Sequence, residues 1–338
     1  MVWNKKRLIL YSFLLVILMF VTLYRMPYYI YKPGTADALN NVVKVTDGFD
    51  SEGDMHLVTV RGGQATPLQY VWALLHPFQD IRLLSEVFPE GISQEEYFQV
   101  QLQMMENSQE SSMVVAYKAA NKEIDITYNG VYVVSVLEGM PAEEVLQTGD
   151  KIIAVNNQRV ENAESLIDLV DKHTKNSKIL LTIKRDDSKM KVEVGLAAFP
   201  NNPDKVGMGI QLVTDREVNV DQELNFSSGD IGGPSAGLMF ALEIYDQLTK
   251  EDLTKGYQIA GTGEISYEGD VMRIGGIDKK VVAADEEGCD IFFAPNESGV
   301  KDSNYHVALQ TAKEINSSMK IVPVDTFDDA IEYLSNLK

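Results

Sequence analysis

Two short stretches hold side chains able to break a covalent bond. Residues 229–240, GDIGGPSAGLMF, put Ser235 behind a glycine pair and a proline and ahead of an apolar run. Leu238, Leu242, Tyr245 and Leu248 keep helical spacing, so Ser235 falls at or just before a helix start. Pro234 has no N–H to lose there, and its fixed φ suits a helix entry. The free N–H groups of a first turn and the positive end of the helix dipole converge at that point, as an oxyanion requires. A serine at a helix start is ordinarily a cap, and that reading stands beside the nucleophilic one. Residues 275–288, GGIDKKVVAADEEG, give a second short helix bounded by glycines, with Ile277, Val281 and Ala284 as its apolar stripe. Lys280 lies on that stripe, whereas Asp278, Lys279, Asp285 and Glu286 fall mostly off it. An inward lysine ordinarily snorkels its ammonium to water. The functional alternative is a desolvated amine beside Ser235, acting as general base.

Other chemistries fit less well. GPSAG also matches the G-x-S-x-G elbow of α/β-hydrolases, but that elbow follows a buried strand, and NFSSGDIG is polar and glycine-rich. A Ser-His-Asp arrangement would have to use His306, the one histidine downstream of the serine. His56, His76, His173 and His306 are scattered, with no pair at the i, i+4 spacing of a helical metal site. Cys289 is the single cysteine, which excludes a disulfide framework and a cysteine cluster for zinc. No stretch matches the phosphate-binding loop G-x-x-x-x-G-K-[ST]. The expectation is therefore no metal, no cofactor and no nucleotide. A net charge of -20, from 50 acidic and 30 basic side chains, argues against nucleic acid as a partner.

The elements that must position Ser235 and Lys280 lie within a chain of 338 residues, long enough for two domains and extras. Between Arg7 and Arg25 run 17 uncharged residues, at the short end of what spans a bilayer as a helix. Tyr28, Tyr29 and Tyr31 follow as an interfacial belt would, and Lys5, Lys6 and Arg7 precede. This predicts a cytoplasmic tail at 1–7, a signal anchor at 8–28 and everything beyond it outside the cell; no small-x-small cleavage site follows the run. Residues 34–121 read as a separate region. In it NVVKV and HLVTV, separated by DGFDSEGD, read as a hairpin, and a helical stretch follows in which Met104 and Met105 read as core filler.

Residues 122–198 resemble a bacterial PDZ domain. The matching pieces are Gly130 opening VYVVSV, the GMPAEE turn, LQTGDKIIAVNNQRV, and a helix carrying Leu166, Ile167 and Leu169. Such a domain takes an extended chain as an added strand beside that helix. A Gly-Leu-Gly-Phe type loop is not evident ahead of VYVVSV, where KEIDITYNG stands.

Residues 199–338 resemble the proteolytic domain of Lon-type serine peptidases, on GGPSAGLMFAL, then AGTGEISYEGDVMRIGGIDKKVVAA, then the apolar IFFAP. The resemblance implies Ser235 as nucleophile, Lys280 as its base, Thr262 as the hydroxyl that orients the lysine, and the backbone of Gly233 and Ser235 as the oxyanion region. The acidic residue often found three before the serine in that family is Gly232 here, and Asp230 lies five before. The whole arrangement is similar to membrane-anchored Lon-like peptidases of Gram-positive bacteria that carry a PDZ domain. It implies a mixed α/β (α+β) protein and an ATP-independent extracellular endopeptidase cutting short or flexible peptides, pheromones among them. A membrane-tethered PDZ adaptor without catalysis is the alternative.

Overall fold

The computed structural model describes residues 5–88, 94–186, 188–200, 202–229 and 231–337, without the side chains of Arg7 and Leu8. The chain divides into two compact units, and the division is not sequential: Ile124–Val220 is one unit, while Met1–Glu123 and Asp221–Lys338 together form the other. The boundary expected at 198/199 thus falls inside the first unit. The region 34–121, expected to stand apart, shares a unit with the residues after 221.

The discontinuous unit is built on a six-stranded sheet. Its order is Lys320–Val324, Ile291–Pro295, Gln258–Gly261, Asp54–Gln64, Tyr28–Ala38 and Asp80–Leu83. The first four strands are parallel and the last two are antiparallel to their neighbours. IFFAP is buried along its whole length, as a strand inside a parallel sheet should be. The expected hairpin does not form. Asp54–Gln64 pairs instead with Tyr28–Ala38, and Val43–Val45 pairs with Leu224–Phe226. The Gln247 side chain accepts from Val45 N at 2.8 Å and donates to Val43 O at 2.9 Å, which holds the short strand away from Asp54–Gln64. A lone two-stranded hairpin is marginal in water, whereas recruitment into a larger sheet buries both of its faces.

Three helices position the site. The serine helix, Gly237–Leu248, is buried on nearly every side. The lysine helix, Ile277–Glu287, is bounded by Gly276 at φ 69° and Gly288 at φ 85°, both in the left-handed region that glycine enters without a Cβ penalty. The long helix, Gln94–Ala119, bonds to the chain on both sides of Ser235. Of the two methionines expected in its core, Met105 is buried and Met104 is exposed.

The N-terminal helix runs Lys5–Leu23 and then stops; Pro27 follows, and Tyr28 already opens a strand, so the span expected at 8–28 is interrupted. The Arg25 guanidinium donates to Gln64 O at 2.9 Å, tying this exit to the sheet. The side chains from Ile9 to Phe20 are exposed. Among the described residues, no helix is long and apolar enough to cross a membrane.

The continuous unit, Ile124–Val220, carries its own sheet in the order Ile210–Val220, Ile124–Val136, Lys151–Val155, Lys178–Arg185, Ser188–Gly195. Its core joins Val131, Val133, Ile152, Leu181 and Ile183 from the sheet to Leu166 and Val170 from the helix Ala163–Asp171.

Candidate active site

Ser235, Thr262 and Lys280 meet at one point. Lys280 Nζ lies 2.7 Å from Ser235 Oγ and 2.8 Å from Thr262 Oγ1. Thr262 Oγ1 donates to Ser235 O at 2.8 Å, and Gly263 N donates to the same carbonyl at 2.9 Å. Because the Thr262 proton is committed to that carbonyl, its oxygen can only accept from the lysine amine, which fixes how the amine is turned. Lys280 is 4% exposed and has hydroxyls, not carboxylates, as its hydrogen-bond partners. Burial disfavours the ammonium and pushes the group down to about 7.

Lys279, expected to lie off the apolar stripe, is also buried, at 1% exposure. It pairs with Asp80 at 2.7 Å and Asp278 at 2.9 Å. The strand Asp80–Leu83, which the sequence does not bring near this helix, supplies the first of those carboxylates.

The oxyanion region differs from expectation at one of its two residues. The Gly233 N–H donates to Gln101 O of the long helix at 2.8 Å, while the Ser235 N–H takes no partner among the described residues. A Cβ on Gly232 would come within 2.8 Å of Gln101 Cβ, so the helix sits where an acidic side chain would otherwise stand. Asp230 lies outside the described residues. His306 bonds Ser303 at 2.8 Å, at the start of the helix Asn304–Glu314, and does not line the cleft that holds Ser235. Cys289 is buried, and burial with the carboxylates around it pushes its thiol up to about 12.

The cleft measures about 940 Å³ and has a largely apolar wall that includes Leu57, Val60, Phe98, Leu102, Met105 and Ile274. The consecutive residues Val58–Gly62 also line it. Of the strand Asp54–Gln64, Gln258–Gly261 pairs with Asp54–Leu57 alone, so among the described residues the edge beyond Leu57 on that side has no strand partner. Neither the strand nor the long helix carries a motif; only the folded sheet brings them to Ser235.

In the continuous unit, the strand that borders the helix Ala163–Asp171 is Ile210–Val220, not the stretch KEIDITYNG. It lies at the end of its sheet, its Thr214 Oγ1 accepts from Ala163 N at 3.0 Å, and Met208, Ile210 and Leu212 pack with Leu166 and Val170. Gly207-Met208-Gly209 leads into it, with Gly209 at φ 84°. The signal was in the sequence, as GMGI, but downstream of the strands where such a loop was sought.

Comparison with known proteins matches residues 99–196 to the PDZ domain family and residues 170–336 to the Lon protease (S16) C-terminal proteolytic domain. Lon protease of Campylobacter concisus is 36% identical over 100 residues, covering 30% of this chain and 12% of the relative. Lon protease of Malacoplasma penetrans is 30% identical over 152 residues, covering 44% of this chain and 18% of the relative. The chain thus spans less than a fifth of the length of these curated relatives. The crystal structure of the PDZ domain of the SdrC-like protein from Listeria monocytogenes is 29% identical, covers 26% of this chain and 93% of that one, and has a TM-score of 0.24. The S16 proteolytic match encloses both sequence motifs and overlaps the end of the PDZ match, a domain content consistent with a Lon-like serine peptidase that carries a PDZ domain.

Proposed function

We propose that this chain is a membrane-tethered, ATP-independent serine endopeptidase with a Ser-Lys dyad, acting on short or flexible extracellular peptides, secreted signalling peptides among them. The observation that carries the chemistry is a buried amine, pushed down to about 7, at 2.7 Å from a serine hydroxyl. A lysine at its ordinary value is almost wholly protonated at neutral pH; this one is close to half neutral. A substrate adds as a strand along the open edge at Val58–Gly62, which presents a peptide carbonyl to Ser235. Neutral Lys280 takes the hydroxyl proton as Ser235 Oγ attacks, the Ser235 N–H receives the developing oxyanion, and Lys280 returns the proton to the leaving amine. Water then opens the acyl ester with Lys280 again as base. Purified protein incubated with a peptide mixture in nucleotide-free buffer should give internal cleavages, read by mass spectrometry. A fluorophosphonate should label Ser235, and products or labelling that persist in Ser235→Ala would refute the assignment.

The 17 uncharged residues after Arg7, helical through Leu23 with exposed apolar side chains, support the tether. Protease added to intact cells should then degrade the body of the protein, and protection of residues beyond 40 would reverse the orientation. The continuous unit serves substrate binding. Ile124 and Val220 are direct partners in an antiparallel ladder, so excising the unit leaves neighbouring ends that a short Gly-Ser linker can join. The excised form should show a raised KM for a long substrate and an unchanged kcat on a small peptide.

A further inference from the structure

The long helix holds the backbone on both sides of Ser235. Ser108 Oγ donates to Pro234 O at 2.9 Å, and Ser112 Oγ is 2.8 Å from Gly237 O. Both hydroxyl residues are buried. The Pro234–Ser235 peptide is trans, so its carbonyl and its N–H point in opposite directions. Anchoring the Pro234 carbonyl on Ser108 therefore turns the Ser235 N–H away from the long helix and leaves it, among the described residues, without an acceptor beside Oγ. The neighbouring candidate donor, Gly233 N–H, is spent on Gln101 O. Much of the oxyanion stabilisation then falls on a single backbone N–H, whose direction one serine hydroxyl sets from 126 residues upstream. We propose that Ser108 is a positioning residue for the oxyanion donor, an inference that rests on Ser235 being the nucleophile.

Without the Ser108 bond, the Pro234 carbonyl keeps, among the described residues, the longer bond from Gly237 N at 3.3 Å, and the peptide plane is held less firmly. Ser112 provides the contrast. It holds Gly237 O, a carbonyl of the serine helix itself, and its loss weakens the packing of two helices without releasing the Ser235 peptide plane.

The test uses the full chain and two peptides of one sequence. The peptide aldehyde adds to a serine hydroxyl to give a hemiacetal whose oxygen sits where the oxyanion forms; the peptide amide makes no such bond. In the wild type the aldehyde should bind far more tightly than the amide. In Ser108→Ala that advantage should fall about 10- to 100-fold, with kcat falling in parallel and the amide affinity, KM and pH inflection unchanged. Ser108→Thr, which keeps the hydroxyl, should restore it, and Ser112→Ala should lose thermal stability but keep the ratio. An aldehyde-to-amide ratio in Ser108→Ala equal to wild type, or a loss shared equally by both ligands, overturns the inference. If Ser235→Ala keeps the aldehyde advantage, the nucleophile assignment has failed instead.

Discussion

On adjacent positions of one helix, two lysines are buried in opposite company. Lys279 is paired on its side with Asp80 and Asp278; Lys280, on the other, bonds among the described residues to the hydroxyls of Ser235 and Thr262. Both side chains leave water, so burial alone does not make a base. Carboxylates partner the first, whereas among the described residues hydroxyls partner the second, and burial pushes that one down to about 7. The difference teaches that the partner decides the proton, and each of the following experiments strains that statement at one of the two faces.

The largest effect should come from keeping a permanent charge at the second face. Lys280→Arg carries a guanidinium that does not deprotonate, so kcat/KM should fall about 10²- to 10⁴-fold in a protein that still folds by circular dichroism. Lys280→Met should be equally inactive but more stable. The lowered value means that the folded state binds fewer protons than the unfolded one between about 7 and 10.5, so wild-type stability rises with pH across that window. Removing the amine should therefore stabilise the protein by up to about 4 kcal/mol at pH 7, read from urea melts, and by progressively less towards pH 10. An active Lys280→Arg would end the comparison.

Next in size is the pH profile. With the base ionising near 7, kcat/KM should climb roughly 100-fold from pH 5 to 8 and then level. Glu243 on the serine helix complicates this, since burial first and then nearby carboxylates raise it to about 7, although Gln247 donates to it at 2.6 Å and works the other way. Its sign in stability is opposite to that of the lysine. A raised carboxyl contributes stability at pH below its unfolded value near 4.5, and that stability is lost as pH rises through about 7. Glu243→Gln should remove that loss while leaving the kinetic inflection in place. An inflection that moves with Glu243 would mean that the profile reports folding and not the base.

The sequence carried these two faces unequally. Ser235 and Lys280 sit in short motifs after residue 221, where glycines and helical spacing mark a helix-start serine and a lysine on an apolar stripe; their pairing, and the part of Thr262, came from the resemblance to Lon-type peptidases. The company of Lys279 was not legible, because Asp80 arrives on a strand that joins the sheet only at its far edge. The same reason hid the open edge at Val58–Gly62, the Gln101 contact with Gly233, and Ser108. All lie before the inserted unit, far from the motifs in sequence, in elements whose patterns speak only of strand or helix. The PDZ resemblance was legible, but its limits were not: the last strand, Ile210–Val220, reads as a strand of either unit until it is seen to pair with Ile124–Val136.

A smaller change at the second face sharpens the argument. Thr262→Val keeps shape and burial but removes the oxygen that receives the lysine amine. Ser235 O still accepts from Gly263 N, so the backbone keeps one of its two ties. The amine then loses its orientation but not its partner, and kcat should drop about 10-fold with KM little changed. Thr262→Ser should recover most of the rate. A fall of the size seen with Lys280→Arg would show that Thr262 takes part in moving the proton.

The smallest effect on catalysis is expected from the first face. Lys279→Met deletes a buried ammonium and leaves Asp80 and Asp278 without it, yet Asp80 is 48% and Asp278 29% exposed, so both can turn to water. Screening discounts the ion pairs, and the methionine recovers apolar contacts in the space that the lysine stem filled. Stability should change by about 1 kcal/mol or less, kcat/KM by no more than about 3-fold, and the inflection near 7 should stay where it is. The inflection is the sensitive part of this test. If Lys279 restrained its neighbour through charge, removing one cation from the helix would ease protonation of Lys280 and move the inflection upward. An upward move by half a pH unit or more would show that the two faces are electrostatically coupled, and that burial among hydroxyls is not sufficient to set the base.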